Sequence, residues 1–441
     1  MRLKKLLSIT LVAIMAASMA AGCGKSSSDS EESSSGGGTE VTSGADTADD
    51  TKAEDVTISF MTNVVGEKAT ALENAIKGFE EETGYTVEFS APGSDYEDLM
   101  KVKMGSNELP DVFTTHGWSV ARYGEYLTPV NEMDFYSSID AQILPAITAA
   151  NGDVYILPVD IDIAGMVYNV DVLNAAGVNV DDIKTWEDFA KACDTLKSKG
   201  YEPIHMGGKD TWPIGQFFDW VAPSFYVTDE TNNQKDALKA GTFDTDIWKQ
   251  ISSMMDTWVK AGYFNEDVLT ADYNADIDAL AKGECAFCFY GNYAASDALG
   301  VNTDANIGMM PIPSNSASDE PSLITGEDIA VGIWKDTKYP EQAKELLDYL
   351  ARPEVMSAIA TAAGNKAGLT TVTSDVGNIQ TYLDKYSTVE TYPYFDREYL
   401  PSGLWDVMCE TGAEILGQSE GAVDNAAEQM LQNFNDKFTA E

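Results

Sequence analysis

The chain has few of the residues that build metal centres, hydrolytic triads or disulfide frameworks. Its 441 residues include two histidines, His116 and His205, which leaves only a single catalytic histidine as an option. No G-x-S-x-G sequence frames a serine nucleophile. Five cysteines over this length are too few for a disulfide scaffold. We therefore expect neither a metal nor a cofactor.

Basic residues are also scarce. The chain has 28 Lys and Arg against 72 Asp and Glu, and its formal net charge is −44. Binding to nucleic acid requires clustered Lys and Arg, so this composition excludes nucleic acid as a partner. It also disfavours an anionic ligand held by charge alone. Such acidity is typical of a solvated protein at the cell surface.

Long apolar runs are missing too, except near the N-terminus. Leu6 to Ala21 is mostly apolar, follows a positively charged start, and is short for a membrane span of about 20 residues. Ala20-Ala21-Gly22 then precede Cys23. This order predicts a signal peptide over residues 1–22 and resembles a bacterial lipoprotein signal, in which the cysteine is lipidated. The alternative is an ordinary signal followed by a chance cysteine.

The next segment supports an anchor. Residues 23–54 consist, after Cys23, mainly of Ser, Gly, Thr and acidic residues, which cannot bury enough apolar surface to fold. A flexible tether of this length spans on the order of 30 Å. We therefore expect a protein that is lipid-anchored on the outer face of the cell membrane and works close to it.

Two of the remaining cysteines form a C-x-x-C sequence. Cys285 and Cys288 lie in GECAFCFYGNY, which could be half of a zinc site, a redox pair or part of a strand. Residues three apart on a strand point to opposite faces, which disfavours both a disulfide and shared ligation. We therefore expect these cysteines to pack in the core. We expect the same of Cys193, which lies on the apolar face of a predicted helix.

Strands and helices alternate from Val56 onward. The pattern predicts a strand at 56–63, a helix at 67–82 closed by Gly84, and strands at 85–90 and 111–115. A later capping box, Thr185-Trp186-Glu187-Asp188, predicts the start of another helix. This alternation is typical of an α/β fold with parallel strand pairing.

One segment carries a family resemblance. Residues 157–174, LPVDIDIAGMVYNVDVLN, resemble the signature of the family-1 extracellular solute-binding proteins, the sugar receptors of ABC importers, although Ala175 departs from the pattern. Further segments resemble maltose-binding protein and its relatives in the same order, so the likeness covers most of residues 55–420. They are FEEETGYTV, LPDVFTTHGWSVARYGEYLTPV, TWEDFAKACDTLKSKG, DTWP, KGECAFCFYGNYA and the region around Trp405.

The resemblance implies an α/β fold with two lobes, of the type II periplasmic-binding-protein kind, and a ligand cleft between them. Lobe 1 is then expected at 55–163 plus 320–350, and lobe 2 at 164–319 plus 351–441. It also implies a monomeric, non-catalytic receptor that captures a carbohydrate, in particular an oligosaccharide, and delivers it to a membrane permease.

A sugar site needs aromatic rings for C–H faces and carboxylates or amides for hydroxyl groups. The resemblance aligns Asp162, Trp212, Tyr293 and Trp405 with family binding positions. The other candidates are polar or aromatic residues on neighbouring loops. The complete candidate set is Asn63, Thr114, His116, Trp118, Asp160, Asp162, Trp212, Asn292, Tyr293, Glu327, Asp328 and Trp405. Trp186, Trp248 and Trp258 lie within helical patterns and are expected in the core.

Two other functions fit the same residues. An acidic cleft with aromatic rings also suits a cationic ligand, such as a polyamine, a cationic peptide or a quaternary ammonium compound. A secreted glycoside hydrolase would use a pair of carboxylates as acid and base. The pair would be Asp160 with Asp162, or Glu327 with Asp328.

Overall fold

The computed structural model describes residues 56–115, 117 and 119–438. The predicted signal peptide, Cys23 and the tether lie outside these residues, and so do His116 and Trp118 of the candidate site. Within the described part, no helix is long and apolar enough to cross a membrane.

The described residues form strands and helices that alternate over most of the chain. The strands are β1 (Thr57–Met61), β2 (Thr86–Ser90), β3 (Val112–Thr114), β4 (Ile156–Pro158), β5 (Asp160–Ala164), β6 (Met166–Asn169), β7 (Glu202–Ile204), β8 (Cys285–Cys288), β9 (Ile307–Met310), β10 (Leu323–Glu327), β11 (Ala330–Ile333), β12 (Lys366–Ala367) and β13 (Thr391–Pro393). The helices are α1 (Gly66–Thr83), α2 (Tyr96–Ser106), α3 (Leu144–Ile147), α4 (Val170–Ala176), α5 (Trp186–Ser198), α6 (Trp212–Val221), α7 (Pro223–Tyr226), α8 (Lys235–Lys239), α9 (Thr245–Ala261), α10 (Tyr273–Lys282), α11 (Asn292–Val301), α12 (Pro340–Leu350), α13 (Pro353–Ala363), α14 (Gln380–Lys385), α15 (Phe395–Tyr399), α16 (Leu404–Leu416) and α17 (Ala422–Phe438).

The first sheet has the strand order β2-β1-β3-β11-β4. β1 pairs in parallel with β2 and β3, which confirms the parallel pairing predicted from the sequence. Helix α1 buries Leu72, Ile76 and Phe79 in the core of this sheet, at the helical spacing that predicted it. It ends at Gly84, whose left-handed conformation (φ 76°) favours glycine.

The second large sheet has the order β7-β8-β6-β9 and lies in a separate core rich in aromatic residues. Trp186, Trp248 and Trp258 are buried there, as predicted. Helix α5 begins with the predicted capping box, in which the side chains of Thr185 and Asp188 bond to each other's backbone N–H. These contacts build a second α/β unit from residues that follow β5.

A third sheet, β12-β5-β10-β13, joins the two large sheets because the chain passes through it repeatedly. The consecutive strands β4, β5 and β6 belong to the first, third and second sheets, and β9, β10 and β11 return in the opposite order. We call this third sheet the crossing sheet. Helix α13 packs in the first core through Met356 and Ile359, although the predicted lobe 2 included residues 351–441.

The C-x-x-C cysteines differ from the expectation of opposite faces. Cys285 and Cys288 are both fully buried, as predicted, but their sulfur atoms lie 3.8 Å apart. Cys288 is the last residue of β8, and its carbonyl accepts the N–H of Tyr290 at 3.0 Å. The chain therefore turns at Cys288, and the alternation of an extended strand does not continue there.

Candidate functional site

The crossing sheet brings together the four predicted carboxylates. Asp160 and Asp162 lie on β5, Glu327 ends β10, and Asp328 follows it. The two strands pair antiparallel with Asp162 opposite Gly326, so the carboxylates meet where the chain crosses between the large sheets. Asp160, Asp162 and Glu327 are all less than 5% exposed. Burial of this kind is costly unless each carboxylate has partners.

Asp160 has protein donors on both oxygen atoms. Its Oδ1 accepts the N–H of Ile329 at 2.6 Å, and its Oδ2 accepts the side-chain amide of Asn365 at 3.0 Å. Desolvation and the nearby Asp328 raise the pKa of Asp160 to about 8. Asp160 thus ties the segment after β10 to the segment before β12.

Asn292, at the start of α11, also has hydrogen-bond partners on both polar atoms of its side chain. Its Oδ1 accepts the N–H of Ile163 at 2.9 Å. Its Nδ2 donates to the carbonyl of Gly364 at 2.5 Å and to Oδ1 of Asn365 at 2.9 Å. Asn365 therefore stands between Asp160 and Asn292, and we call these three residues the crossing network. The network joins three segments of the chain, namely β5, the start of α11 and the segment before β12.

Lys68 reaches this region from α1, in the first core. Its Nζ lies 2.9 Å from Oδ2 of Asp328 and 5.1 Å from the centre of the Tyr293 ring. Desolvation lowers the pKa of Lys68, but the carboxylates of Asp328 and Asp160 outweigh it and raise the pKa overall. The ammonium group therefore stays charged and compensates part of the acidic cluster. It also connects α1 to Tyr293 on α11.

Asp162 differs from its neighbours because one of its oxygens is unused. Tyr394 donates its hydroxyl to Oδ2 at 2.5 Å, whereas the buried Oδ1 has no hydrogen-bond partner among the described residues. Desolvation raises the pKa of Asp162 to about 6, although the Tyr394 bond opposes the rise. A Cβ on Gly291 would overlap Oδ1, so only a glycine lets the backbone at position 291 approach this carboxylate so closely.

Two residues beside the acidic cluster, Tyr394 and Arg397, escaped the sequence reasoning. The guanidinium of Arg397 lies 3.9 Å from the centre of the Tyr394 ring, and its Nη1 donates to the carbonyl of Glu327 at 3.1 Å. A Cβ on Gly326 would overlap the Tyr394 ring, so this glycine lets the tyrosine reach Asp162. The only signal was a run of aromatic and charged residues, TYPYFDREY, which begins with β13 and continues into α15.

Two loops of the first sheet that carry candidate residues meet. Thr114 donates its hydroxyl to Oδ1 of Asn63 at 2.8 Å, and the N–H of Asn63 lies 3.2 Å from the same hydroxyl oxygen. Thr114 is fully buried, and the neighbouring Thr115 has a buried hydroxyl that lacks a partner within the described residues. These loops follow β1 and β3, at the carboxyl ends of parallel strands, where ligand sites of α/β sheets lie.

The predicted aromatic residues gather around α6. Trp212, the first residue of α6, lies 5.2 Å from Tyr273 and 5.5 Å from Tyr290 between ring centres. Tyr293 bonds through its hydroxyl to Oε1 of Gln216 at 3.3 Å. Trp405 is half-buried on α16 and packs against Gly215 of α6. Trp212, Tyr293 and Trp405 are therefore brought to one helix, whereas the structure does not describe Trp118.

The arrangement suits recognition of a hydroxyl-rich ligand more than metal chemistry. Within the described residues, no group of three or more His, Cys, Asp or Glu side chains could hold a metal ion. The carboxylates either bond to the protein or, like Asp162, offer an acceptor beside aromatic rings.

Comparisons with known proteins identify the family and the fold. The family model described as bacterial extracellular solute-binding protein matches residues 63–357. The chain is 32% identical over 369 residues to the melibiose/raffinose/stachyose-binding protein MelE of Bacillus subtilis, which covers 83% of this chain and 86% of that protein.

Solved structures show the same likeness. The crystal structure of a sugar transporter from Bacillus licheniformis, in complex with stachyose, is 32% identical with a TM-score of 0.80, covering 86% of this chain and all of that one. A putative binding protein MsmE from Bacillus subtilis, in an open conformation, is 29% identical with a TM-score of 0.78, covering 87% of this chain and 98% of that one. The chain therefore has the two-lobe fold of these receptors and belongs to the bacterial extracellular solute-binding protein family.

Proposed function

We propose that this chain captures a neutral oligosaccharide, of the class that includes melibiose, raffinose and stachyose, and delivers it to the permease of an ABC importer. Relatives over most of the chain's length bear names or contain ligands of this class. The proposed site comprises the candidate residues that the crossing sheet and α6 bring together, with Tyr394 and Arg397 added.

The unused oxygen of Asp162 carries the proposal. A buried carboxylate oxygen without a donor costs free energy, and a ligand hydroxyl would remove that cost. Bonds of a hydroxyl group to a carboxylate are charge-assisted and strong. Tyr293 bonds to Gln216 of α6, the helix that begins with Trp212, and we propose that these two rings pack on the C–H faces of the sugar.

The charges favour a neutral ligand over a cation. Lys68 is bonded to Asp328, and Arg397 lies beside Tyr394 and Glu327, so cationic groups of the protein already compensate the acidic cluster. A polyamine would have to compete with them. An uncharged polyol gains hydrogen bonds without adding charge.

The hydrolase alternative needs two carboxylates with access to a substrate. Asp160 is bonded to Ile329 and Asn365 on its two oxygens, so it would have to give up these bonds to act as an acid or base. The family consists of solute-binding proteins. We therefore propose a receptor without catalytic activity, for which no release of monosaccharide from bound oligosaccharide is expected.

The lobes and the anchor complete the proposal. We propose that residues 56–161 with 329–372 form one lobe and that most of the remainder forms the other. A ligand that contacts both lobes then favours the closed conformation.

We further propose that Cys23 is lipidated and holds a monomeric receptor at the outer face of the membrane. A Cys23→Ser variant should then leave the membrane fraction.

The direct test is a thermal-shift screen of the purified protein. The panel holds melibiose, raffinose and stachyose, with maltose-type and xylose-type oligosaccharides, spermidine and a cationic peptide. A ligand at 100 times its Kd adds about 2.7 kcal/mol of stability and a readable rise in Tm. Shifts with one glycan class would support the proposal. Shifts with cations alone, or with nothing in the panel, would contradict it.

A further inference from the structure

A buried carboxylate that the sequence analysis did not single out lies behind the aromatic residues of the site. Asp276, on α10, is fully buried. Its Oδ2 accepts the N–H of Gly207 at 2.7 Å and the hydroxyl of Tyr290, and its Oδ1 lies 2.6 Å from Nδ1 of His205. These partners satisfy both oxygens, so Asp276 on α10 holds two other segments, residues 205–207 and the segment of Tyr290, in fixed positions.

Two of these partners lead directly to Trp212. The ring of Tyr290 lies 5.5 Å from Trp212 and 5.1 Å from Tyr273, and Tyr273 lies 5.2 Å from Trp212. Gly207 immediately precedes the short turn Gly208–Asp210 that leads into α6, whose first residue is Trp212. Rings at these separations restrict one another's position. The backbone before Trp212 and the ring beside it therefore depend on the same carboxylate.

We propose that Asp276 is a positioning residue of the ligand site, which fixes Trp212 through Tyr290 and the Gly207 segment; this inference rests on the proposed function. Asp276 itself does not contact the ligand. Its loss changes affinity because the Trp212 ring is no longer held in the orientation that packs on a sugar.

A double-mutant cycle tests this role. Asp276→Asn keeps the shape of the side chain but leaves a single acceptor oxygen and removes the negative charge that strengthens the bonds from Gly207, Tyr290 and His205. With Trp212 present, we expect this change to weaken raffinose binding about tenfold, measured by calorimetric titration. In a Trp212→Ala background, the same change should alter affinity by no more than about twofold. Equal fold-losses in both backgrounds would overturn the proposal.

Two further variants guard against a general loss of folding. Asp278 lies on the same helix and is half-exposed. Asp278→Asn removes only the ion pair with Lys282, so this variant should bind raffinose as the unchanged protein does. Tyr290→Phe removes one hydroxyl and keeps the ring. It should reproduce a smaller part of the loss, again only when Trp212 is present, and it replaces Asp276→Asn if that variant does not fold.

A ligand-free measurement separates this inference from the proposed function. The readout is acrylamide quenching of the Trp212 fluorescence. The Trp212 signal is the difference in fluorescence between each protein and its Trp212→Phe version. Asp276→Asn should make the Trp212 signal more accessible to quencher, and an unchanged signal would contradict the positioning role. Failure of the unmodified protein to bind any sugar would count against the proposed function and leave this readout intact.

Discussion

Asp160 and Asp162 lie two residues apart on one strand, and both are almost completely buried. Asp160 bonds on both oxygens to groups of the crossing segments, whereas Asp162 bonds to Tyr394 through one oxygen and has no partner for the other among the described residues. The same residue type in one motif therefore has two environments. On this difference rests our proposal that Asp160 serves stability and Asp162 serves recognition.

The two aspartates differ because of what the rest of the chain places beside them. Asn365 and Ile329 reach Asp160 from segments that follow it by more than 160 residues. Beside Asp162, Gly291 and Gly326 allow the backbone and the Tyr394 ring to come close, and among the described residues only Tyr394 donates to the carboxylate. One buried oxygen is left without a donor, and it is the acceptor that we propose for a ligand hydroxyl.

The largest expected effect tests the structural half of the comparison. Asp160→Ala leaves the N–H of Ile329 buried without an acceptor, and the amide of Asn365 keeps only its 3.3 Å contact with Oδ2 of Asp328. We expect a loss of about 4 kcal/mol of unfolding free energy, measured by urea denaturation. Asp98→Ala, at an exposed position of α2, is the control and should change stability little. A loss below 1 kcal/mol for Asp160→Ala would remove the crossing network as a source of stability.

The pH dependence of stability tests the electrostatic half. The pKa of Asp162 is raised to about 6 in the folded state, so the folded protein binds this proton more tightly than the unfolded chain does. Its contribution is present at low pH and is lost as the pH rises from about 4 to 6, a fall of about 3 kcal/mol. Asp162→Asn should lack this part of the fall in urea midpoints, and identical pH profiles would contradict the shift.

Asp162→Asn should also separate binding from stability. The amide keeps one acceptor but loses the negative charge that strengthens a bond to a ligand hydroxyl. We expect raffinose affinity to fall about thirtyfold, equivalent to ~2 kcal/mol, by calorimetric titration at pH 7. Asp98→Asn serves as the control. Affinity within twofold of the unchanged protein would remove Asp162 from the ligand site.

The smallest effect concerns Tyr394. Tyr394→Phe keeps the ring beneath Arg397 but removes the donor to Oδ2 of Asp162, so the carboxylate loses its one protein bond. We expect raffinose affinity to fall about fivefold, equivalent to ~1 kcal/mol, and the pKa of Asp162 to rise further. Affinity and pH profile that both stay unchanged would show that Tyr394 does not tune Asp162.

Local features of the fold were predictable, because short-range patterns determine them. The spacing in α1, its end at Gly84 and the capping box of α5 follow from neighbouring residues. The contacts of Tyr394 with Asp162 and of Asn365 with Asp160 join residues 232 and 205 positions apart, and no local pattern encodes them. Cys285 and Cys288 were misplaced for a related reason, since the strand ends at Cys288 where regular alternation was assumed.

The crossing sheet also determines when the site can assemble. β5 pairs with β10 and β12, and β10 pairs with β13, so the sheet needs segments from residue 160 to residue 393. Contacts over such sequence distances carry a large loop-closure entropy and form slowly. A chain that still lacks the residues of β13 cannot complete this sheet, so the proposed site cannot be complete before then. A ligand of that site therefore cannot guide the early steps of folding.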